Sequence, residues 1–301
     1  MNLASSAPSV HVIVVNYNGW QHAEKCLASL ARSEYPALRV LVVDNGSTDG
    51  SVARLRERFP ELDILEIEHN VGFTAANNAG ARRALAARPD YLWFLNNDTT
   101  VDSRALCELV AVAEADAGVG AAASVLYHMR DPNAVQAWGG GFVRLWGGTA
   151  DMYLAPVPAA RLHFLAGTSL LVRRAAIERV GLLDERYFMY WEDTDFCFRL
   201  RGAGWRLAVA DRSKVWHYGS ASMGENTRAQ KSPEFELRFT QSAVRFFRQY
   251  APIPPVPLVA GIGVHLAKRV LRGQWPRARA IVRGGLAALR GTSRARPKKV
   301  V

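Results

Sequence analysis

Val10-His11-Val12-Ile13-Val14-Val15-Asn16-Tyr17-Asn18-Gly19 is the stretch from which the fold can be read. Val10 to Val15 is a short apolar run rich in β-branched residues, and Asn16-Tyr17-Asn18-Gly19 ends it. That pattern predicts a buried strand and then a turn. Residues 20 to 32 follow as a helix, with Ala23, Leu27 and Leu30 facing inward. The unit then recurs. Val40 to Val43 is a strand closed by Asp44-Asn45-Gly46-Ser47-Thr48-Asp49, and Asp49 to Arg58 is helical. Ile64 to Ile67 is a strand followed by His69-Asn70-Val71-Gly72 and a helix through Ala86. Tyr91 to Leu95 is a strand stopped by Asn96-Asn97-Asp98, with a helix from about Asp102 to Ala115. Four strand–helix units with short connections imply an α/β fold, a parallel sheet with helices on both faces. Ligands of such sheets lie at the carboxyl ends of the strands. Asn16, Asn18, Asp44, Asp49, Asn70 and Asp98 all fall there. None of these loops is a G-x-G-x-x-G or a P-loop, which disfavours dinucleotides and nucleoside triphosphates.

The second half is less periodic. Residues 120 to 165 read as irregular, with turns at Gly139-Gly140-Gly141 and Gly147-Gly148. Leu165 to Val172 reads as a strand and Arg174 to Arg179 as a short helix. Trp205 to Val209 and Val215 to Tyr218 read as two short strands, after Gly202 and Gly204 stop the preceding helix. Residues 233 to 250 form an amphipathic helix carrying Phe235, Phe239, Phe246 and Phe247.

Charge is divided unevenly. The 301 residues carry a net charge of +11, yet residues 252 to 301 alone contain eleven Lys or Arg and no Asp or Glu. The remainder is balanced, which argues against a nucleic-acid-binding body. Three separated cysteines, Cys26, Cys107 and Cys197, form no zinc knuckle or disulfide framework and suit a reducing compartment. Met1 to Ser9 lacks the charged and apolar regions of a signal peptide. No run reaches the roughly 18 apolar residues of a membrane span.

Phe188-Met189-Tyr190-Trp191-Glu192-Asp193-Thr194-Asp195 gathers three carboxylates beside two large aromatics. Carboxylates crowded in this way are costly to desolvate and repel one another, so at least one pKa should rise. That suits a proton acceptor near neutral pH. The competing reading is an acidic helix start, with Asp195 paired to Arg199 four residues on.

Six pieces in order carry a resemblance. They are Val-Val-Asn-Tyr-Asn (14 to 18), Val-Asp-Asn-Gly-Ser-Thr-Asp (43 to 49), Asn-Val-Gly-Phe (70 to 73) with Asn77, Leu-Asn-Asn-Asp-Thr (95 to 99), Gly-Thr-Ser-Leu-Leu-Val-Arg-Arg (167 to 174), and the acidic stretch with Trp-His-Tyr (216 to 218). Over residues 10 to 220 the chain resembles the family 2 glycosyltransferases, most of all bacterial rhamnosyltransferase-type members. The resemblance implies the GT-A fold, a Rossmann-like nucleotide-binding sheet fused to an acceptor-binding part. It implies that Asp44 accepts from the pyrimidine N3–H of a nucleoside-diphosphate sugar, with Asn16, Asn18, Asn70, Asn97 and Asp98 also on the donor. It further implies Mg²⁺ or Mn²⁺ on Asp98, with His217 as a second metal ligand or a donor to the phosphate, Asp193 as general base beside Glu192, and Trp191 and Asp195 toward the acceptor. Many relatives carry Asp-x-Asp where this chain has Asn96-Asn97-Asp98, so one anionic ligand remains.

The expectation is an inverting sugar transferase, with dTDP-L-rhamnose favoured as donor and a lipid-linked glycan as acceptor. A UDP-sugar transferase and a non-catalytic glycan- or nucleotide-binding protein are the alternatives. Residues 1–119 would bind the donor, 120–251 the acceptor, and 252–301 an anionic membrane surface, placing the protein peripherally on the cytoplasmic face of the inner membrane. The tail pattern predicts a helix to Arg272, with Leu258, Val259, Ile262, Leu266 and Val270 on one side and His265, Lys268, Arg269 and Arg272 on another. A second helix from Pro276 would align Arg279, Arg283 and Arg290.

Overall fold

The computed structural model describes residues 7–219 and 232–290. Its first half alternates strand and helix: β1 (Val10–Asn16), α1 (Trp20–Leu30), β2 (Leu38–Asn45), α2 (Ser51–Arg58), β3 (Asp63–Ile67), α3 (Phe73–Leu85) and β4 (Tyr91–Asn96). These strands run parallel in the order β3-β2-β1-β4. Successive side chains alternate between faces. Val12 and Val14 therefore join one core with Trp93, while Ile13 and Val15 join the other with Phe94. Burying each such aliphatic side chain stabilises by about 1.5–3 kcal/mol. Both faces of β1 are covered from Val12 on, which is why Val12 to Val15 is an unbroken apolar run.

The sheet then becomes mixed. A tight turn joins β4 to β5 (Thr99–Val101), and α4 (Ala105–Glu114) leads to β6 (Val119–His128) and β7 (Asp131–Trp138). A small second sheet contains β8 (Gly140–Arg144), β9 (Thr149–Met152) and β10 (Phe164–Leu165). β11 (Ser169–Arg173) lies antiparallel between β4 and β6 and is followed by α5 (Arg174–Val180). After α6 (Glu192–Gly202), β12 (Arg206–His217) runs parallel to β6 and antiparallel to β5. α7 (Pro233–Tyr250) crosses behind the acidic turn.

Three expectations change here. Residues 120 to 165 hold strands β6 to β10 rather than irregular chain. β6 escapes notice because Gly120 to Ala123 are small, weak strand formers; close neighbours, with Trp205 against Gly120, select them. The two short strands at 205 to 218 are one strand with a register shift between Ala210 and Lys214. There Ser213 turns inward, donating to the Ala105 carbonyl at 2.8 Å. The strand expected over 165 to 172 is broken into β10 and β11 by Ala166-Gly167-Thr168.

The chain continues through α8 (Pro255–Pro257), a π-helical stretch (Leu258–Gly263), α9 (Val264–Leu271) and α10 (Trp275–Arg290). The expected two tail helices are present, but their basic side is not all solvated. Arg269 and His265 turn to the buried Glu236 of α7, at 2.9 and 2.7 Å. Burial works to raise the Glu236 carboxyl, but His265 and Arg269 more than offset it and leave it below the usual carboxylate range. α10 packs along α7 with Ala278, Ile281 and Ala288 inward. Among the described residues no helix is long and apolar enough to cross a membrane. Arg294, Arg296, Lys298 and Lys299 of the basic tail lie outside the described residues.

Candidate active site

A cavity of about 760 Å³ opens where β4 ends, floored by Asn96, Asn97 and Asp98. Its walls come from the turn at 188 to 194, from β9, and from Arg238 and Phe239 of α7.

Asp98 sits in the turn between β4 and β5. Pairing of β12 with β5 sets His217 opposite Thr99, the next residue. The result is Asp98 Oδ1 at 3.2 Å from His217 Nε2. His217 Nδ1 lies 2.7 Å from Gln136 Oε1, an acceptor, so Nδ1 carries the proton and Nε2 presents a lone pair. That Nε2 is buried and takes no hydrogen bond. A carboxylate oxygen and an imidazole lone pair facing each other, with the tautomer set from outside, suit a divalent cation. Among the described residues no group of three or more His, Cys, Asp or Glu is placed to hold a metal alone. Two protein ligands leave the other positions to substrate oxygens, the usual arrangement for a Mg²⁺-type site.

α6 begins at Glu192, so Glu192 and Asp193 belong to its first turn. The preceding Tyr190 and Trp191 both adopt left-handed backbone, each with φ 69°. This reversal turns Asp193 toward the break between β10 and β11. Asp193 Oδ2 accepts from the Gly167 N–H at 2.9 Å, and Oδ1 from the Thr194 N–H at 2.6 Å. A methyl group on Gly167 would stand 3.1 Å from Asp193 Cβ, so glycine permits this approach. Burial raises the Asp193 carboxyl, with the two backbone donors working against it. Glu192 is buried and its Oε2 has no partner. Burial, and then the charge of Asp193, push it up to about 8. Trp191 lines the same cavity, packed against Phe246 at 4.8 Å, with its indole N–H unpartnered.

Asp195 does not reach the cavity. It is wholly buried, bound through Oδ2 to Arg199 at 2.8 Å and through Oδ1 to the Tyr250 hydroxyl at 2.8 Å. The pair with Arg199 is present as expected, but the acceptor contact is not, because every Asp195 oxygen faces the α6–α7 interface.

On the donor side, Asn70, Asn97 and Asp98 line the cavity. Asn16 is fully buried and links strand ends. It accepts from Asn97 Nδ2 at 3.1 Å and donates to Asp44 Oδ1 at 3.0 Å. Asn18 is exposed and caps the neighbouring turn, accepting from the Thr48 N–H at 2.8 Å. Neither touches the cavity. Asp44 instead lines a second cavity of about 440 Å³ with Glu66 and Glu68. Its carboxylate already accepts from Asn16, the Ser47 hydroxyl and the Ser47 N–H. Asp49 is a helix-start residue, accepting from the Ser51 N–H at 3.0 Å.

Sequence reasoning missed Asn45, Gly167 as the donor to Asp193, and Arg238. Asn45 joins β2 to the next loop, donating to Asn70 Oδ1 at 3.1 Å. The Gly-Thr-Ser motif contained Gly167, but only the β10–β11 break gives its N–H a task. Arg238 carries no motif signal.

Residues 11–181 match the sequence profile of Glycosyl transferase family 2. An N-acetylglucosaminyl-diphospho-decaprenol L-rhamnosyltransferase of Mycobacterium tuberculosis is 31% identical over 241 residues, covering 71% of this chain and 78% of that protein. The O-antigen biosynthesis protein RfbC of Myxococcus xanthus is 30% identical over 231 residues, covering 72% of this chain and 17% of that protein. Among solved structures, the mannosyltransferase PcManGT of Pyrobaculum calidifontis, in complex with GDP-Man and Mn²⁺, superposes with TM-score 0.60 at 22% identity, covering 96% of this chain and 77% of that one. S. aureus TarS 1-349 in complex with UDP-GlcNAc gives TM-score 0.58 at 18% identity, covering 90% and 79%. These structures share the mixed α/β fold. With its profile match spanning more than half the chain, this protein belongs to glycosyl transferase family 2 and is a glycosyltransferase.

Proposed function

We propose that the enzyme transfers L-rhamnose from dTDP-L-rhamnose, with inversion, to a hydroxyl of a lipid-linked glycan. The observation that carries the chemistry is the Asp193 carboxylate, held by the Gly167 and Thr194 N–H groups inside the cavity that also contains Asp98 and His217. The choice of sugar and acceptor follows the mycobacterial relative, whose name joins L-rhamnose transfer to a diphospho-decaprenol acceptor.

In this reading the acceptor hydroxyl donates its hydrogen bond to Asp193. As its oxygen bonds to the anomeric carbon, the proton passes to the Asp193 carboxylate, and the carbon–oxygen bond to the diphosphate breaks on the opposite face. The electron pair leaves on the diphosphate. Mg²⁺ or Mn²⁺, held by Asp98 and His217, would offset that charge. Glu192, protonated at neutral pH, and the Trp191 indole N–H each offer an unpartnered donor to a sugar oxygen. Asn70 and Asn97 bind the donor. Asp44 accepts from the base N3–H: a carboxylate has about four acceptor sites, and three are taken.

Residues 1–119 then serve the donor, 120–251 the acceptor, and 252–301 an anionic membrane surface. Val259, Leu271 and Trp275 are 72%, 86% and 56% exposed, and Lys268, Arg272, Arg279, Arg283 and Arg290 are exposed on the same helices. An apolar and basic mixture of this kind fits the cytoplasmic face of a membrane carrying anionic lipid.

The test is incubation with dTDP-, UDP- and GDP-sugars, with and without a polyprenyl-diphosphate acceptor, measuring sugar transferred and nucleoside diphosphate released. Acceptor-dependent release from dTDP-L-rhamnose is expected. Transfer only from a UDP-sugar would replace the donor assignment, and nucleotide binding without release would exclude catalysis.

A further inference from the structure

Five carboxylic side chains meet at the cavity. Asp98, Asp151, Glu192, Asp193 and Glu234 line it, and Arg238 is the one Lys or Arg on its walls among the described residues. Arg238 is built into place. Its guanidinium lies 4.1 Å over the Phe188 ring, and its Nε donates to Glu234 at 2.6 Å. Phe188 itself is seated against Gly72, whose φ of 94° and lack of a side chain leave room for the ring. Stacking from below and a carboxylate on Nε leave the two terminal nitrogens, which take no hydrogen bond among the described residues. A guanidinium edge of that kind matches phosphate oxygens two at a time. The side chain belongs to α7, one residue before Phe239, which packs on both Tyr190 and Trp191 at 5.9 Å. The cation therefore stands one aromatic layer from the Glu192–Asp193 turn, on the wall contributed by α7 rather than on the Asp98–His217 floor. On a third wall, β9 brings Met152, 42% exposed, and Leu154 beyond it is 63% exposed. A polar sugar site, one cation and exposed apolar side chains at one cavity are the three parts that an amphiphile with a sugar, a diphosphate and a hydrocarbon chain requires.

We propose that Arg238 is the binding residue for the acceptor's diphosphate, so that the enzyme selects acceptors carrying a sugar on a lipid diphosphate over the same sugar on a neutral alkyl chain. This rests on the lipid-linked acceptor of the proposed function. Glu234 is the internal stand-in for that anion, occupying one guanidinium nitrogen until the acceptor arrives.

The test compares two probes: farnesyl-diphosphate-linked N-acetylglucosamine and octyl N-acetylglucosaminide. Charge-assisted hydrogen bonds of this type are worth roughly a tenfold to hundredfold change. Arg238→Ala should lower the kcat/KM ratio, diphosphate over octyl, at least tenfold while the KM for the sugar nucleotide stays at the parent value. Arg238→Lys should retain part of the preference. Glu234→Gln, which removes the competing carboxylate, should increase it. Calorimetric binding of the diphosphate probe without donor should be strong for the parent and lost in Arg238→Ala. Equal losses on both acceptors would reduce Arg238 to a support for Phe188, and an unchanged ratio, or a parent that does not bind the probe, would overturn the assignment. A parent that binds the probe through Arg238 yet transfers no sugar would overturn the functional reading instead.

Discussion

Asn16, Asp44 and Asn97, at the ends of β1, β2 and β4, and the groups around the start of α6 are polar and buried, yet their hydrogen bonding is opposite. Asn16, Asn97, Asp44 and Ser47 bond one another across three strand ends. Glu192 Oε2, the Trp191 indole N–H and the neighbouring His217 Nε2 are buried with no hydrogen bond. Leaving such a group unpaired costs about 1–3 kcal/mol. The first set is a frame that holds strand ends in register. The second is chemistry kept open for a ligand, with its cost offset by the frame and the cores on either side of the sheet.

The largest break in that comparison should come from Asp193→Asn, which leaves the Gly167 contact possible but removes the proton acceptor. A loss of roughly 10²–10⁴-fold in turnover is expected, with donor binding and melting temperature near parent values. Glu192→Gln should do less harm. Glu192 titrates near 8 in the fold against about 4.5 ordinarily, so its stabilising contribution is complete below 4.5 and is lost as pH rises through 8. Unfolding at pH 9 should therefore show Glu192→Gln gaining stability relative to the parent, and no gain would mean that the carboxyl is solvated. If Glu192→Gln abolishes turnover and Asp193→Asn spares it, the two roles are exchanged.

Next is Asp98→Ala, expected to lose roughly 10²-fold in turnover and all response to added Mn²⁺. Full parent activity in excess chelator would remove the cation from the mechanism and leave Asp98 and His217 an unusual structural pair. Asp44→Ala probes the frame. One free acceptor site predicts about 1–2 kcal/mol weaker dTDP binding by calorimetry, with the fold kept. Unaltered affinity would make Asp44 part of the frame alone. The smallest effects belong to the surface: replacing Arg272, Arg279 or Arg283 singly by Gln should weaken cosedimentation with anionic vesicles by about 1 kcal/mol each, more at low salt. Insensitivity to all three would mean that the exposed apolar residues of α9 and α10 cover something other than a membrane.

The alternation at residues 10 to 115 was legible because every apolar run there obeys one period and every run ends in a turn residue. The carboxylate turn was legible for the same local reason, three acids beside two aromatics. What sequence could not carry was set by neighbours distant in the chain. Ala121 to Ala123 form a strand because β11 and β12 flank them. Asp195 turns away from the cavity because Tyr250, on another helix, holds it. Arg269 leaves the basic face because Glu236 waits beneath it. The i,i+4 spacing of Asp195 and Arg199 correctly indicated a pair, but spacing says nothing about which side of the turn is open.

Two successive residues with side chains, Tyr190 and Trp191, occupy the left-handed region at a cost of about 1–2 kcal/mol each. Trp191 is kept there by Phe239, Phe246 and Phe247 of α7, and Ser242 donates to the Met189 carbonyl at 2.8 Å. The segment that aims the proposed general base is thus a small cooperative unit of its own, closed by one helix. Replacing Ser242 by Ala should leave the amides of β1 and β4 exchanging with deuterium as slowly as before, while those of residues 188 to 194 open orders of magnitude faster. Enzymes damaged in this way would retain their overall melting transition and still fail at chemistry, because the aiming segment melts alone.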